Sequence, residues 1–287
     1  SKGEVVKVSC MQENLAKGLG IVGRAVAGRT TLPVLSNVLL TTDRGRLKLA
    51  ATNLEIAVVT WIGAKVEEEG AVTIPHRLLS EFVASLPNDR IDMTLNVRNN
   101  SMNLVCGRSK ANIKGIDADE FPPIPDVSDG ATVQIEQGLL REIIGQVSFA
   151  AATNESRPVL AGVWMQIGDD ITMSATDGFR LSVRTAKLPT PLAEKVEIII
   201  PAAALRDVAR LLTDEREPVM ISVTPNKSQV LFRMANIDLV ARLIEGTFPN
   251  HKHIIPQSHV TSTVVAAADF LGAARRASFF AREAANF

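Results

Sequence analysis

The sequence predicts an α+β protein of repeated domains, each an antiparallel sheet layer covered on one face by helices. Three observations carry that reading: landmarks recur at an offset of about 125 residues, short turns join strand-like runs, and apolar helical stretches stand between groups of strands.

The repeat is visible residue by residue. Pro33-Val34-Leu35-Ser36-Asn37-Val38 returns as Pro158-Val159-Leu160-Ala161-Gly162-Val163, and Ala51-Thr52-Asn53 returns as Ala175-Thr176-Asp177. Ile74-Pro75 opens a helical stretch that reaches Leu86, and Ile200-Pro201 opens another that reaches Leu212. Phe121-Pro122 and Phe248-Pro249 close the two copies. The expected domains are therefore 6–125 and 130–256. A third copy is expected over 260–287, because Val264 to Phe280 parallels Val133 to Phe149, and it is incomplete at Phe287. A helix without its sheet cannot bury an apolar stripe, so the sequence reads as a fragment whose closure contacts would be lost. Residues 1–5 read as a tag remnant or a misassigned start.

Within the first copy, Val5 to Ser9 alternates like a strand, and Leu15, Leu19, Val22 and Val26 recur at helical spacing. Val38–Leu40, Arg46–Ala50 and Ile56–Trp61 follow as strands, with Asp43-Arg44-Gly45 as a hairpin turn. Ala71–Ile74 is a strand and Pro75–Leu86 a helix; Ile91–Asn96, Met102–Cys106 and Ala111–Ile116 complete the unit, with Asn99-Asn100 as a turn.

Composition narrows the function. Of 287 residues, 46% are apolar and 22% charged, which suits folded domains over disorder. No apolar run is long enough to span a membrane and no signal peptide opens the chain, so a cytoplasmic protein without a membrane partner is expected. Cys10 and Cys106 stand alone in apolar strands and read as reduced, buried thiols. The 31 basic and 31 acidic residues cancel, so attraction to nucleic acid must come from how charge is distributed. Aromatic residues are only 4%, too few for a base-stacking platform.

Charge does segregate onto helices. Lys17 and Arg24 lie opposite the apolar stripe of the first helix; Arg77 sits on the second, Arg141 on the third, Arg206 and Arg210 on the fourth, and Arg275 and Arg276 on the fifth. Such recurrence favours a phosphate-facing surface over scattered solvated charges. No catalytic chemistry emerges: there is no phosphate-binding glycine loop, Cys-x-x-Cys or nucleophile elbow. His251-x-His253 lacks a third ligand at metal-site spacing, and Asp177-Gly178 reads as a turn. No cofactor, metal or catalytic residue is expected.

RTTLPVLSNVLL (Arg29–Leu40), ATNLEIAV (Ala51–Val58), ESRPVLAGV (Glu155–Val163), ATDGFRLSV (Ala175–Val183), IIIPAAALRDVARLL (Ile198–Leu212) and LIEGTFPNHKHIIP (Leu243–Pro256) occur in an order and spacing that resembles the bacterial sliding clamp family, the beta subunit of DNA polymerase III. The resemblance runs from about Val6 to Phe287. It implies a DNA clamp fold: a three-domain subunit that dimerises head to tail into a ring, with sheets outside and paired helices lining the hole. It implies a non-enzymatic processivity factor that encircles duplex DNA without regard to sequence. It also implies a peptide pocket for the polymerase III catalytic subunit, the clamp loader, repair polymerases and mismatch-repair proteins.

Carried over from the family, the pocket falls on Arg157, Leu160, Thr176, Gly178, Phe179, Arg180, Leu181, Pro249, His253 and Ile254, with Phe179 and His253 departing from a frequent histidine and arginine. DNA-side positions are Arg29, Arg77, Asn154 and the Pro158-Val159 loop, where relatives often carry aromatic residues. Ring closure falls on Arg108 and Lys110 of one subunit and Phe279 and Phe280 of the next. Two rivals remain: a repeat-built protein-binding scaffold without DNA encirclement, which predicts no basic helical surface, and an enzyme acting through the His251/His253 loop, which predicts a metal or a deep polar pocket there.

Overall fold

The structure, a computed structural model, describes residues 5–281 except 29, 97, 126, 128–129, 155–156, 193 and 214–216; the side chains of residues 5, 251 and 254 also lie outside the description. Residues up to 248 form one compact unit and 249–287 a second.

In the first copy, β1 (Val5–Met11) leads into α1 (Gln12–Val22), followed by β2 (Asn37–Asp43), β3 (Arg46–Thr52), β4 (Ile56–Ile62), β5 (Lys65–Glu68) and β6 (Ala71–Pro75). Helix α2 (His76–Ser85) comes next, then β7 (Arg90–Asn96), β8 (Ser101–Cys106) and β9 (Ser109–Lys114). The second copy runs β10 (Ala131–Glu136), α3 (Gln137–Val147), β11 (Gly162–Ile167), β12 (Asp170–Thr176), β13 (Leu181–Lys187), β14 (Val196–Pro201) and α4 (Ala202–Leu211). It ends with β15 (Pro218–Val223), β16 (Gln229–Met234) and β17 (Ile237–Arg242).

Local chemistry explains the punctuation. Arg44 and Gly45 both take positive φ, 49° and 75°, so β2 and β3 close on a two-residue turn whose twist matches that of the strands. Proline precedes both second helices: Pro75 and Pro201 have φ of −53° and −51°, fixing the entry angle where an N–H would be orphaned anyway. A glutamine opens each first helix. The backbone N–H of Gln12 donates to Asp89 O and that of Gln137 to Glu217 O, tying each helix start to the loop that leaves its partner helix.

Every ladder in the named sheets is antiparallel. Strand order is β5-β1-β7-β8-β9 in one sheet, β10-β15-β16-β17-β4-β3-β2-β6 in a second and β13-β12-β11-β14 in a third. The eight-stranded sheet runs through both copies, because β17 pairs with β4 across them: Leu239 faces Val58 and Val240 faces Ala57. One core, including Leu15, Leu19, Leu79, Leu140, Ile144, Leu205, Val58 and Leu239, lies between helices and sheets. On the opposite face, Val127, Leu231 and Val240 form a small cluster, and Val34, Leu35 and Phe121 another.

The structure departs from the sequence reading in detail. Helix α1 stops at Val22, so Arg24 lies in the 3-10 turn Gly23–Ala25 instead of on the helix with Lys17. The short acidic strand β5 lacks the apolar alternation that would announce it. Strand β9 begins at Ser109, two residues earlier than its apolar pattern suggests.

Cys10 and Cys106 are free and buried. Burial, reinforced by the Asp92 charge, pushes the Cys10 thiol up to about 12, and burial raises Cys106 as well. Both thiols are therefore expected to resist a thiol reagent at about pH 8 in the native protein and to react once guanidinium chloride unfolds it. Fast modification of either before unfolding would show that its strand opens.

Candidate functional site

The loop between β12 and β13 is built by its own backbone chemistry. Asp177 Oδ1 accepts hydrogen bonds from the amides of Phe179 and Arg180 at 2.9 and 3.0 Å, and Thr176 Oγ1 accepts one from the Gly178 amide at 3.0 Å. Gly178 sits at φ 95°, where a side chain would strain the turn. Arg180 donates from Nε to Asp177 Oδ2 at 2.9 Å, and its guanidinium lies 5.7 Å from the centre of the Phe149 ring. The amides of Arg180 and then Phe179 hold the Asp177 carboxyl below its ordinary value.

The first copy repeats this loop atom for atom in kind. Asn53 Oδ1 accepts from the amides of Glu55 and Ile56 at 3.0 and 2.9 Å, Thr52 Oγ1 accepts from the Leu54 amide at 3.0 Å, and Leu54 has φ 75°. What differs is the cargo. Leu181 and Leu160 are half-buried, whereas their counterparts Ala57 and Leu35 are buried, and the exposed position of Glu55 is taken in the second copy by Phe179, 88% exposed.

Six of the ten pocket residues are thus gathered in the larger unit around one turn: Thr176, Gly178, Phe179, Arg180, Leu181 and, through Gly178, Arg157, whose Nη1 lies 3.9 Å from where a Cβ at that glycine would be. Leu160 lies within the 3-10 turn Pro158–Ala161 that leads into the same sheet. Pro249, His253 and Ile254 belong to the second unit, where a short helix, α5 (His251–Ile254), precedes α6 (Ala267–Ala281). Pro249 and His253 are exposed; the Ile254 side chain lies outside the described residues.

Basic residues collect on the helical side of the larger unit. Lys17, Arg24, Arg77, Arg141, Arg206 and Arg210 are all exposed. Arg24 and Arg210 approach the same carboxylate, Asp207, at 3.6 and 3.2 Å, so two guanidinium charges share one acid across the two copies. Arg141 and Arg206 donate to the backbone oxygens of Leu212 and Ser148 at 3.4 Å, which orients their guanidinium groups. Arg77 pairs with Glu81 at 2.9 Å. A groove of about 740 Å³ lined by Lys17, Arg24, Trp61, Arg210, Glu217 and Asn236 runs along this seam. Asn154 is exposed, while Arg29 lies outside the described residues.

Arg108 occupies the turn between β8 and β9, and Lys110 lies on β9; both are exposed. On α6, Phe279 and Phe280 are 65% and 84% exposed, with Arg275 and Arg276 exposed on the same helix. Among the described residues no three His, Cys, Asp or Glu side chains converge as a metal-holding group, and no described helix is long and apolar enough to cross a membrane. Sequence reasoning missed the Arg24–Asp207 contact and the groove beside it, since partners nearly two hundred positions apart leave no local signal.

Repeated α+β units with helix pairs on one face, a sheet shared across the seam and a basic helical surface define the DNA clamp class. A family model described as DNA polymerase III beta subunit, N-terminal domain, matches residues 6–125, and one for the central domain of that subunit matches 134–250. The chain is 32% identical over 291 residues to the beta sliding clamp of Bacillus subtilis (strain 168), covering 98% of this chain and 76% of the relative. It is 33% identical over 285 residues to that of Synechococcus elongatus, with the same coverage. Its fold superposes on the crystal structure of the Bacillus subtilis sliding clamp with a TM-score of 0.92 at 30% identity, over 97% of this chain and 75% of that one. A Pseudomonas aeruginosa sliding clamp bound to griselimycin gives 0.82 at 30% identity, over 88% and 68%. The chain belongs to the DNA polymerase III beta subunit family, the bacterial sliding clamps, which act as non-catalytic processivity factors.

The loop analysis yields a test. Asp177→Ala removes two backbone hydrogen bonds and the tether on Arg180, so peptide affinity should fall several-fold while the fold persists, each lost bond being worth about 1 kcal/mol. Because the Asp177 carboxyl is lowered, its contribution is complete above about pH 4 and is lost as pH falls through the lowered value. Isothermal titration of both proteins at neutral pH decides it, and equal affinities would remove Asp177 from the account.

Proposed function

We propose that this chain encircles duplex DNA in a head-to-tail ring, slides on it through the exposed cations of its helical face, and tethers replication and repair proteins by short peptides received at Leu160, Thr176 to Leu181, Pro249, His253 and Ile254. The domain division that goes with this reading is 6–125, 130–256 and a third from 260.

The β17–β4 seam is the observation that carries it. Strand β9 is the first-copy counterpart of β17, and β13 the second-copy counterpart of β4. Each ends its sheet, with no strand on its outer edge among the described residues. The chain therefore joins its copies by one kind of strand pairing and presents both halves of the same pairing at its flanks. Lys110 and Lys114 on β9, and Arg184 and Lys187 on β13, are the charges expected on edges kept from indiscriminate pairing. A heterologous contact reused at a constant angle closes into a ring where the rotations add up to a full turn. Arg108, Lys110, Phe279 and Phe280 fit this scheme as closure residues.

Topological retention needs only weak phosphate contacts, which agrees with the cancelled net charge and with Asp207 tempering two arginines. The helical cations also favour this reading over a protein-only scaffold. Partners are expected to include the polymerase catalytic subunit, the clamp loader, repair polymerases and mismatch-repair proteins, each through an extended segment with a glutamine and a Leu-Phe-like apolar end.

Linear duplex should bind weakly, without sequence preference, and lose affinity steeply between low and physiological salt as counterions return. Arg206→Glu with Arg210→Glu should weaken it further at low salt and change nothing at high salt. Nanomolar, sequence-selective binding at physiological salt, read by fluorescence anisotropy, would defeat the ring. Separately, a labelled peptide of the stated type should bind with micromolar affinity at best. Leu181→Asp should abolish that binding with the circular dichroism spectrum intact, and undiminished binding would mean that the pocket has been misplaced.

A further inference from the structure

Between β4, the segment that follows β9, and β17 lies a cavity of about 100 Å³. It is lined by Thr52, Leu54, Glu55, Ile56, Ala57 and Pro122, which are the first-copy counterparts of Thr176, Gly178, Phe179, Arg180, Leu181 and Pro249. Six pocket positions thus recur around a real cleft, reached by the same turn with the same hydrogen bonds. Leu35 and Val127, counterparts of Leu160 and Ile254, are 3% and 3% exposed in the two apolar clusters beside it. Gln229, Val240 and Arg242 of the second copy close the far side, and Val240 also belongs to the second of these clusters.

One side chain joins everything. Ile124, in the Pro-flanked connecting segment, packs against the Val34, Leu35 and Phe121 cluster and also against the Val127, Leu231 and Val240 cluster. It is the only residue common to both clusters among the described residues. At the matching place in the second connecting segment, Phe248-Pro249-Asn250-His251, the sequence has His251.

We propose that the seam between the copies carries a second peptide pocket, held shut by the chain's own connecting segment with Ile124 as the plug. The second copy carries a polar histidine at the equivalent sequence position, so it has no apolar plug of its own and the second-copy pocket is left to an outside peptide. The chain is its own ligand at one site, and this restricts each chain to a single external partner peptide. The inference rests on the peptide pocket proposed above. The chemistry of the plug also describes the external ligand: an extended segment whose branched apolar side chain bridges two small apolar clusters. A half-buried isoleucine already tethered to the site outcompetes a free peptide, because its ordering entropy is lost on folding and not on binding.

The test uses the full chain and a fluorescent peptide carrying Gln and a Leu-Phe end. In a Leu181→Asp background, where external binding is abolished, Ile124→Ala should restore binding at least tenfold above that background. In the otherwise native chain, His251→Ile should weaken the same peptide at least tenfold, while His251→Asn should keep the parent affinity. Either variant behaving like its parent overturns the proposal, and should Ile124→Ala fail to fold, His251→Ile decides alone. If the native chain does not bind the peptide at all, the pocket reading itself fails; if it binds and loses binding with Leu181→Asp, only the plug is at issue.

Discussion

The antiparallel pairing of β17 with β4 is the constraint on which the rest of the larger unit depends. Side chains alternate along a strand, so the register that sets Leu239 against Val58 sends both into the helix-covered core and leaves Val240 and Ala57 on the other face. A slip of one residue would invert that division. With the register fixed, both helix pairs lie over the same side of one sheet, and Asp207 of the second copy comes within 3.6 Å of Arg24 in the first. The seam therefore sets the basic surface as well as the core.

Much of this was legible in the sequence because it is local. The two-residue turn at Arg44-Gly45, the turn at Asn99-Asn100 and the buried thiols follow from backbone preference and apolar context, and each is found where its residues place it. The duplicated fold was legible through its repeats. The pairing partner of an edge was not, since period-2 alternation says which face is buried and nothing about which strand lies alongside. The role of Ile124 was hidden for a related reason: set among Pro122, Pro123 and Pro125 it reads as linker, while the clusters it bridges include Leu231 and Val240, over a hundred residues away. Positions of the candidate pocket came from family resemblance, and neither composition nor spacing would have found them.

Two copies of one turn show how duplication permits divergence. Thr52 and Thr176 make the same hydrogen bond, as do Asn53 and Asp177, so the scaffold tolerates change at the positions it holds. Leu54 occupies a left-handed conformation that Gly178 occupies without strain. In the first copy the turn is tied to the second copy, the Glu55 carbonyl accepting from the Arg242 amide, and the following Ile56 and Ala57 are buried; in the second copy the turn presents Phe179, Arg180 and the half-buried Leu181.

The two surfaces obey different physics, and this separates their functions. Exposed cations that share carboxylates interact with phosphate through screened Coulomb forces, which weaken within a Debye length of about 8 Å at physiological salt. In the proposed function such contacts hold DNA loosely enough to slide and are too weak to hold a partner. The turn around Asp177 offers apolar side chains, and burying apolar area is worth roughly 25 cal/mol per Å² largely independent of moderate salt. A partner gripped in this way, as proposed, would stay attached while the ring beneath it moves, because raising or lowering the phosphate contacts leaves the apolar contact untouched. Mobility on DNA and retention of a partner can therefore be set independently within one chain.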